Sequence, residues 1–256
     1  MANRLIETTL RRLRGPRTRA PDPADPELTM KGIPAADREV IERALPYTLT
    51  GVDRLHALVI AVRHLVRTGV GGGFAECGVW RGGSVLAIAA TLRQLDVHDR
   101  DLYLFDTFEG MTQPDERDTS PIDRAAVELW EETDGRPWPE LFTPALCSKE
   151  AVGEVVLSTG YPAERVHFVA GPVEETLPDN APERLALLRL DTDWYESTRH
   201  ELEHLYPRLA SGGVLIVDDY GHWEGCRRAV DEYFDRTAEP ILLSRIDYSA
   251  RLGVKR

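Results

Sequence analysis

The chain has 256 residues, 42% of them hydrophobic and 29% charged, which is the composition of a folded globular protein. Its 31 Lys and Arg against 43 Asp and Glu give a net charge of −12, which excludes a nucleic-acid clamp and weighs against an anionic membrane surface. No apolar run reaches the roughly 20 residues that cross a bilayer, and the N-terminus lacks the apolar core of a signal peptide, so we expect a cytoplasmic protein.

A basic, proline-containing segment precedes the rest of the chain at residues 1–36. Six arginines lie within its first 19 residues, and four prolines follow between Pro16 and Pro26. A short basic helix is expected before residue 14, and the prolines end it because they cannot donate the helical hydrogen bond. We expect an arm that is either mobile or packed on a neighbouring subunit, ahead of one domain at 37–256.

The predicted elements of the domain begin with an amphipathic helix. Its apolar stripe runs from Leu55 to Val66 with the spacing of one helical face, and glycines from Gly69 to Gly73 end it. Five short apolar strands are then predicted at 74–78, 101–106, 166–170, 186–191 and 213–218. Further helices are predicted at 83–95, 147–159, 195–209 and around Cys226–Phe234.

This alternation of strands and helices is typical of an α/β fold, in which helices cover both faces of a mostly parallel sheet. The C-terminal segment ILLSRIDYSARLGVKR holds two more possible strands around a turn, which would close one sheet edge. Residues 107–146 interrupt the alternation with five prolines, acidic residues and large aromatic residues that include Trp130, Trp138 and Phe142. A connection here normally needs only a few residues, so we predict a lid over the functional site; a surface excursion is the alternative.

The first strand leads into a glycine-containing turn, GVWRGGS, at the start of the next helix. Such a turn lets a ligand approach backbone amides, although its spacing matches neither the G-x-G-x-x-G dinucleotide fingerprint nor a P-loop. The second strand ends at Asp106, 23 residues after Gly83, where an acidic residue can accept hydrogen bonds from ribose hydroxyls. The two features together predict a nucleoside ligand; tight helix packing is the alternative for the glycines alone.

Acidic residues gather at the ends of the fourth and fifth strands, in the sequences LDTD and VDDY. Asp191, Asp193, Asp218 and Asp219 would meet at the carboxyl edge of the sheet, where open α/β sheets bind ligands. Such close negative charges need a cation, and oxygen ligands without His or Cys favour Mg²⁺ over zinc. The alternative is that these residues cap the following helices, which fits Asp193 or Asp219 better than the whole set.

Four motifs give the chain a resemblance to the macrocin O-methyltransferase (TylF) family: FAECGVWRGGS, LFDTFEGM, LRLDTDWYEST and GGVLIVDDYGHW. The resemblance spans about residues 45–237. The enzymes of this family are class I methyltransferases that require S-adenosylmethionine and a metal, and they act mainly on sugars in antibiotic biosynthesis. The resemblance implies a Rossmann-like methyltransferase fold with a seven-stranded sheet, whose last pair of strands forms the reversed edge.

The resemblance also implies roles for individual residues. It places S-adenosylmethionine against the glycine turn and under the segment 47–51. The implied cofactor-binding residues are Thr48, Glu76, Gly78, Gly82, Ser84 and Asp106. The implied Mg²⁺ ligands are Asp191, Asp218 and Asp219. A homo-oligomer is implied as well, with residues 1–36 as the expected contact.

The expected activity is transfer of a methyl group from S-adenosylmethionine to a sugar hydroxyl of a small glycosylated acceptor. Mg²⁺ would lower the pKa of that hydroxyl, and a base would remove its proton. Asp191 is the first candidate for the base and His222 the second, while Trp194 and Trp223 either line the acceptor pocket or pack at the sheet rim. Two other interpretations stay open: methylation of an amine or a catechol-like hydroxyl, and a non-catalytic protein that only binds the nucleoside.

Overall fold

The computed structural model describes residues 30–256, and the elements below lie within residues 35–256, which form one unit. The predicted basic helix before residue 14 lies outside the described residues. Most of the predicted arm at 1–36 does so too, and its role stays a prediction. No helix in residues 30–256 combines the length and the apolar character needed to cross a membrane.

The strands and helices predicted for residues 37–256 are all present. The α-helices of residues 35–256 are α1 (Ala35–Ala44), α2 (Val52–Thr68), α3 (Gly83–Gln94), α4 (Ala126–Glu132), α5 (Pro144–Cys147), α6 (Lys149–Leu157), α7 (Val173–Thr176), α8 (Tyr195–Leu205) and α9 (Glu224–Thr237). The strands are β1 (Gly73–Cys77), β2 (Leu102–Asp106), β3 (Val166–Ala170), β4 (Leu185–Leu190), β5 (Leu209–Val217), β6 (Ser244–Arg245) and β7 (Arg251–Val254).

The strands form a seven-stranded sheet in the order β3-β2-β1-β4-β5-β7-β6. Strands β1 to β5 are parallel, β7 pairs antiparallel with β5, and β6 pairs antiparallel with β7. The reversed edge is therefore carried by β7 alone, because β6 runs in the direction of the first five strands. The order of the chain changes direction between β1 and β4, which opens a crevice at the carboxyl ends of these strands. The Rossmann-like α/β fold is thus confirmed.

Helices cover both faces of the sheet. Helices α1, α2, α3 and α6 pack together on one face, and α7, α8 and α9 pack together on the other. Right-handed connections produce this arrangement, because the chain leaves β1 toward one edge of the sheet and β4 toward the other. Strand β4 is buried at every residue, as expected for a central parallel strand, and this includes the charged residue Arg189.

Two predicted helix boundaries differ from the observed ones for local reasons. The helix predicted at 195–209 ends at Leu205, because Pro207 lies in the next turn and cannot continue an α-helix. The helix predicted at 147–159 begins at Lys149 after a separate helical turn. Ser148 takes the N-cap position, where its hydroxyl accepts a hydrogen bond from the Ala151 amide at 3.3 Å.

The insertion at 107–146 is anchored to the domain near its beginning. The carboxylate of Asp118 is 1% exposed and accepts a hydrogen bond from the Tyr195 amide at 2.8 Å. The Trp194 indole donates to the Thr112 carbonyl at 2.9 Å. Both contacts join the insertion to the start of α8, so its first part is held against the sheet edge that carries the predicted site.

Candidate active site

Two adjoining cavities open at the carboxyl ends of the strands. The first has a volume of about 220 Å³ and is bounded by the turn after β1, the segment 48–50 and the ends of β2, β4 and β5. The second has a volume of about 1080 Å³ and is bounded by the insertion, α7 and the start of α8. Thr107, Gly110 and Phe142 line both, so the insertion borders the whole space, as a lid would.

The turn after β1 is shaped by Asp106 at the end of β2. Its Oδ2 accepts hydrogen bonds from the amides of Val79 at 2.6 Å and Trp80 at 3.0 Å, and its Oδ1 accepts from the Phe108 amide at 2.7 Å. Trp80 and Phe108 have φ angles of 48° and 57°, which are unfavourable for residues other than glycine. Asp106 therefore stabilises two strained segments of backbone, and it also lines the first cavity.

Two glycines of this turn are required by contacts within the protein. At Gly78, where φ is 80°, a Cβ atom would lie 1.9 Å from the carbonyl oxygen of Asp191. At Gly82, where φ is 83°, it would lie 3.1 Å from the side chain of Val152 in α6. Gly78 thus lets the ends of β1 and β4 approach each other, and Gly82 lets the turn pack against α6.

The structure brings four of the six implied cofactor-binding residues to the first cavity: Thr48, Gly78, Ser84 and Asp106. Gly82 and Glu76 are not among its lining residues. Gly82 faces α6, so its part is to allow the conformation of the turn. Glu76 is 2% exposed, and its Oε1 accepts a hydrogen bond from Arg189 Nη1. Its contact is with a buried arginine rather than with the cavity.

This buried arginine connects the cofactor turn with the acidic strand ends. Arg189 lies beside Glu76 in the register of β4 and β1. Its Nη1 also donates to Asp191 Oδ2 at 2.5 Å, and its Nη2 donates to Asp218 Oδ1 at 2.5 Å and to the Thr50 hydroxyl at 3.1 Å. A cation this deeply buried requires such partners. One guanidinium therefore joins three strands to the segment that carries Thr50.

A second arginine reaches the same acidic residues from α2. Arg54 Nη1 donates to Asp218 Oδ2, and Arg54 Nε donates to Asp247 Oδ2 at 2.7 Å. The Arg54 side chain is 14% exposed and lines the first cavity. Asp247 lies in the turn between β6 and β7, so Arg54 ties the acidic residues to the C-terminal hairpin.

Asp191, Asp218 and Asp219 offer carboxylate oxygens that lie within 4.8 Å of one another. Asp219 Oδ2 is buried and has no hydrogen-bond partner within residues 30–256. Burial raises the pKa of Asp219 well above its usual range, and burial together with the charge of Asp191 raises the pKa of Asp193 to about 8. Carboxylates in this situation are stabilised by a proton or a cation. The set of oxygens fits a divalent cation such as Mg²⁺.

Helix capping, the alternative use of these acidic residues, is provided by the insertion. At α8 the cap is Asp118, as described above. At α9 the amide of Glu224 donates to the carbonyl of Thr119 at 2.8 Å. Neither helix has a side-chain cap from its own N-cap residue in the described chain. The carboxylates at the strand ends therefore do not serve as the caps of these two helices.

The two candidates for the base lie in different surroundings. His222 Nε2 is 2.8 Å from Asp123 Oδ2 of the insertion, and His222 Nδ1 is 3.1 Å from the Tyr248 hydroxyl. His222 is not among the lining residues of either cavity, whereas Asp191 lines the first. The geometry favours Asp191 over His222, because a base must reach the proton that it removes.

Both predicted tryptophans are buried, and their ring centroids lie 5.0 Å apart in an edge-to-face contact. Trp194 also lines the second cavity. Trp223 lines neither of the two cavities. Trp194 thus packs at the rim of the sheet and also borders the second cavity, whereas Trp223 packs at the rim.

Arg54, Arg189 and Asp118 were missed in the sequence. Arg189 had a recognisable signal, because a charged residue inside an apolar strand must be paired, and it lies on the same strand face as Asp191 two positions later. Arg54 had none, since its partners are 164 and 193 residues away along the chain.

The chain matches the family described as macrocin O-methyltransferase (TylF) over residues 29–252. It is 36% identical over 219 residues to the 8-demethyl-8-(2,3-dimethoxy-alpha-L-rhamnosyl)-tetracenomycin-C 4'-O-methyltransferase of Streptomyces olivaceus, covering 84% of this chain and 79% of that protein. It is 36% identical over 190 residues to the mycinamicin III 3''-O-methyltransferase of Micromonospora griseorubida, covering 74% and 71%. The solved structure of the O-methyltransferase NovP is similar with a TM-score of 0.70 at 31% identity, covering 82% of each chain.

These likenesses agree with the fold and with the motifs around the first cavity. The family match includes the turn after β1, the end of β2 and both acidic strand ends. The chain therefore is an O-methyltransferase that belongs to the macrocin O-methyltransferase family.

Proposed function

We propose that the chain transfers the methyl group of S-adenosylmethionine to a sugar hydroxyl of a glycosylated natural product, with Mg²⁺ held by Asp191, Asp218 and Asp219. The buried Oδ2 of Asp219, which has no hydrogen-bond partner among residues 30–256, lies beside the two other carboxylates and carries this proposal, because burying such a group is unfavourable unless a cation or donor meets it. The names of the two relatives, one a rhamnosyl-tetracenomycin and the other a mycinamicin methyltransferase, support the acceptor class.

Two bound groups would supply chemistry that the side chains lack: S-adenosylmethionine carries a methyl group on a sulfonium, and Mg²⁺ supplies positive charge that lowers the pKa of the acceptor hydroxyl. The acceptor hydroxyl oxygen would form its new bond to the methyl carbon as the bond from that carbon to the sulfonium sulfur breaks. The hydroxyl proton passes to a carboxylate oxygen of Asp191, which lines the cavity. The products are a methyl ether and S-adenosylhomocysteine.

The protein's own contribution is to align the two substrates. Gly78, Ser84 and Asp106 border the proposed place of the cofactor, and the acidic ends of β4 and β5 border the proposed place of the acceptor oxygen. Arg189 fixes the relation between these two regions, because it contacts both β1 and the acidic strands. The insertion lines both cavities and, closed as a lid, would exclude water from the reacting groups.

The proposal is tested by incubating the protein with labelled S-adenosylmethionine and a panel of glycosylated natural products. We expect label in the sugar portion, loss of transfer in chelator and recovery when Mg²⁺ is restored. Transfer to an amine at full rate in chelator would instead support the amine interpretation. Tight binding of S-adenosylhomocysteine without transfer to any acceptor would support a non-catalytic protein.

Asp106→Asn is expected to lower both thermal stability and affinity for S-adenosylhomocysteine. An amide offers one acceptor atom where the carboxylate offers two, so at least one of the three backbone donors loses its partner. The cost is about 1–3 kcal/mol, equivalent to a fall in Tm of about 3–10 °C. Calorimetric titration and thermal melts measure the two effects. Asp101→Asn, just before β2, is the control and should change neither the Tm nor the affinity for S-adenosylhomocysteine strongly.

An unchanged Tm for Asp106→Asn together with weaker binding would contradict the role of Asp106 in shaping the turn. It would leave Asp106 as a direct acceptor for the ribose hydroxyls only. Unchanged affinity would remove Asp106 from the cofactor site altogether.

Limited trypsin digestion is expected to cut the insertion after Arg124 and to spare Arg117. The Arg124 side chain is 55% exposed and pairs with Glu132 within the insertion, whereas Arg117 is 30% exposed and pairs with Glu196 of α8 in the part of the insertion that Asp118 anchors. S-adenosylhomocysteine and a glycosylated acceptor together should slow the cut after Arg124, because a lid that contacts ligands opens less often. Mass spectrometry of the fragments measures this. Equal cleavage rates with and without ligands would make the segment a surface excursion.

We also propose that the chain forms a homo-oligomer, on the basis of the family resemblance, and that it is cytoplasmic, on the basis of its composition. Light scattering of the full chain measures the first. A molecular mass equal to that of one chain at every protein concentration would contradict the homo-oligomer.

A further inference from the structure

Asp218 has both of its carboxylate oxygens in contact with arginines. Oδ1 accepts from Arg189 Nη2 at 2.5 Å, and Oδ2 accepts from Arg54 Nη1. A Mg²⁺ ion that used Asp218 as a ligand would need an oxygen at about 2.0–2.1 Å, in a well-defined direction. It would then share a carboxylate oxygen with a guanidinium of the same charge sign. Each oxygen has a second lone pair for the cation, but the cation and the guanidinium at that oxygen repel each other, and this repulsion favours withdrawal of one arginine when the cation binds.

The two arginines differ in how easily they can move. Arg189 is 2% exposed and also holds Glu76, Asp191 and Thr50, so leaving Asp218 would disturb three strands. Arg54 borders the first cavity and has one partner in the acidic cluster.

The other partner of Arg54 lies outside the acidic cluster. Arg54 Nε donates to Asp247 Oδ2 at 2.7 Å, through an atom different from the one that contacts Asp218. Asp247 itself is fixed, because its Oδ1 accepts from the amides of Ser249 at 2.9 Å and Ala250 at 2.7 Å. Arg54 can therefore leave Asp218 by a change in its guanidinium position and keep an ion pair throughout.

We propose that Arg54 is an exchangeable counter-ion of the metal site, which neutralises Asp218 until Mg²⁺ binds and then keeps its contact with Asp247. This inference rests on the metal site proposed above. The exchange would offset the charge of one carboxylate of the cluster whenever no cation is bound. It also means that the protein sets its own Mg²⁺ affinity, because the ion must compete with a guanidinium that is held in place.

Two substitutions on either side of the Arg54 contact should change Mg²⁺ affinity in opposite directions. Arg54→Gln removes the competing charge, so the Kd for Mg²⁺ should fall about tenfold, or about 1.4 kcal/mol. Asp247→Asn keeps an oxygen for the Ser249 and Ala250 amides but loses the charge that receives Arg54, so the Kd should rise. Arg165→Gln removes the same charge at the amino end of the sheet, where Arg165 pairs with Asp101, and should have no effect.

The experiment is calorimetric titration of Mg²⁺ alone into the full-length chain and its variants, with S-adenosylhomocysteine titrated into the same samples as a check on folding. Weaker Mg²⁺ binding in both Arg54→Gln and Asp247→Asn would overturn the proposal and make Arg54 a positioning residue for Asp218. An unchanged Kd in Arg54→Gln would overturn it as well. A parent protein that binds S-adenosylhomocysteine but not Mg²⁺ would overturn the metal site itself, and the inference with it.

Discussion

Asp218→Asn and Asp219→Asn are each expected to lower turnover by roughly 100-fold or more, the scale on which enzymes lose a group that stabilises developing charge. Both changes keep the size of the side chain and remove one negative charge from the proposed Mg²⁺ site. Binding of S-adenosylhomocysteine should change little, because the cavity residues that border the proposed cofactor place lie in the segment 48–50, in the turn after β1, at the start of α3 and at the end of β2. Turnover with saturating S-adenosylmethionine and calorimetric titration of the product measure these two effects.

The same two variants should differ in stability when Mg²⁺ is left out. Asp218 accepts hydrogen bonds from Arg54 and Arg189, so Asp218→Asn weakens two charged contacts and should melt below the parent protein. Asp219 Oδ2 has no partner in residues 30–256, and burial already raises the pKa of this group. Asp219→Asn therefore removes an unfavourable buried charge and should melt at or above the parent.

Added Mg²⁺ should raise the Tm of the parent protein strongly, through mass action, and that of both variants only weakly. Asp101→Asn, at the opposite end of the sheet, controls for the loss of one carboxylate. Full activity of the parent protein in chelator would contradict the metal mechanism. Full activity of both Asp218→Asn and Asp219→Asn would contradict it as well. If these residues were only helix caps, Asn would serve about as well as Asp.

The strands and the place of the site could be read from the sequence because both depend on local patterns. Apolar runs of the right length predict central parallel strands, and the carboxyl ends of such strands meet at one edge. Asp191 and Asp218 are each the last residue of a predicted strand, so their meeting required only the assumption of a shared sheet. The sequence therefore predicted that these acidic residues lie close together, but it did not predict their arginine partners.

The partners depend on contacts between distant parts of the chain. Arg189 and Glu76 are 113 residues apart, and only the register of β4 on β1 makes them neighbours. The surroundings of Gly82, an implied cofactor-binding residue, could not be read from the sequence for a related reason. The residue that a Cβ atom would meet there is Val152 of α6, a helix whose position relative to the turn is set by packing and not by the sequence of the turn.

Gly78→Ala is expected to destabilise the protein more than any other glycine-to-alanine change in the turn after β1. The φ angle of 80° alone costs about 1–2 kcal/mol for a residue with a side chain. The added Cβ atom would also lie 1.9 Å from the Asp191 carbonyl oxygen, so the end of β4 would have to move. Forced shifts of this kind cost about 1–3 kcal/mol more, and the Tm should fall by about 5–15 °C.

Gly69→Ala separates the two contributions. Gly69 has a φ angle of 69°, and a Cβ atom there would meet nothing within 4 Å, so only the backbone strain is added. Its Tm should fall by about 2–6 °C, clearly less than that of Gly78→Ala. Because the clash lies at Asp191, Gly78→Ala should also weaken Mg²⁺ binding below both melting temperatures, whereas Gly69→Ala should not. Equal losses of stability in the two variants, with Mg²⁺ binding intact in both, would show that the ends of β1 and β4 can separate without cost to the site.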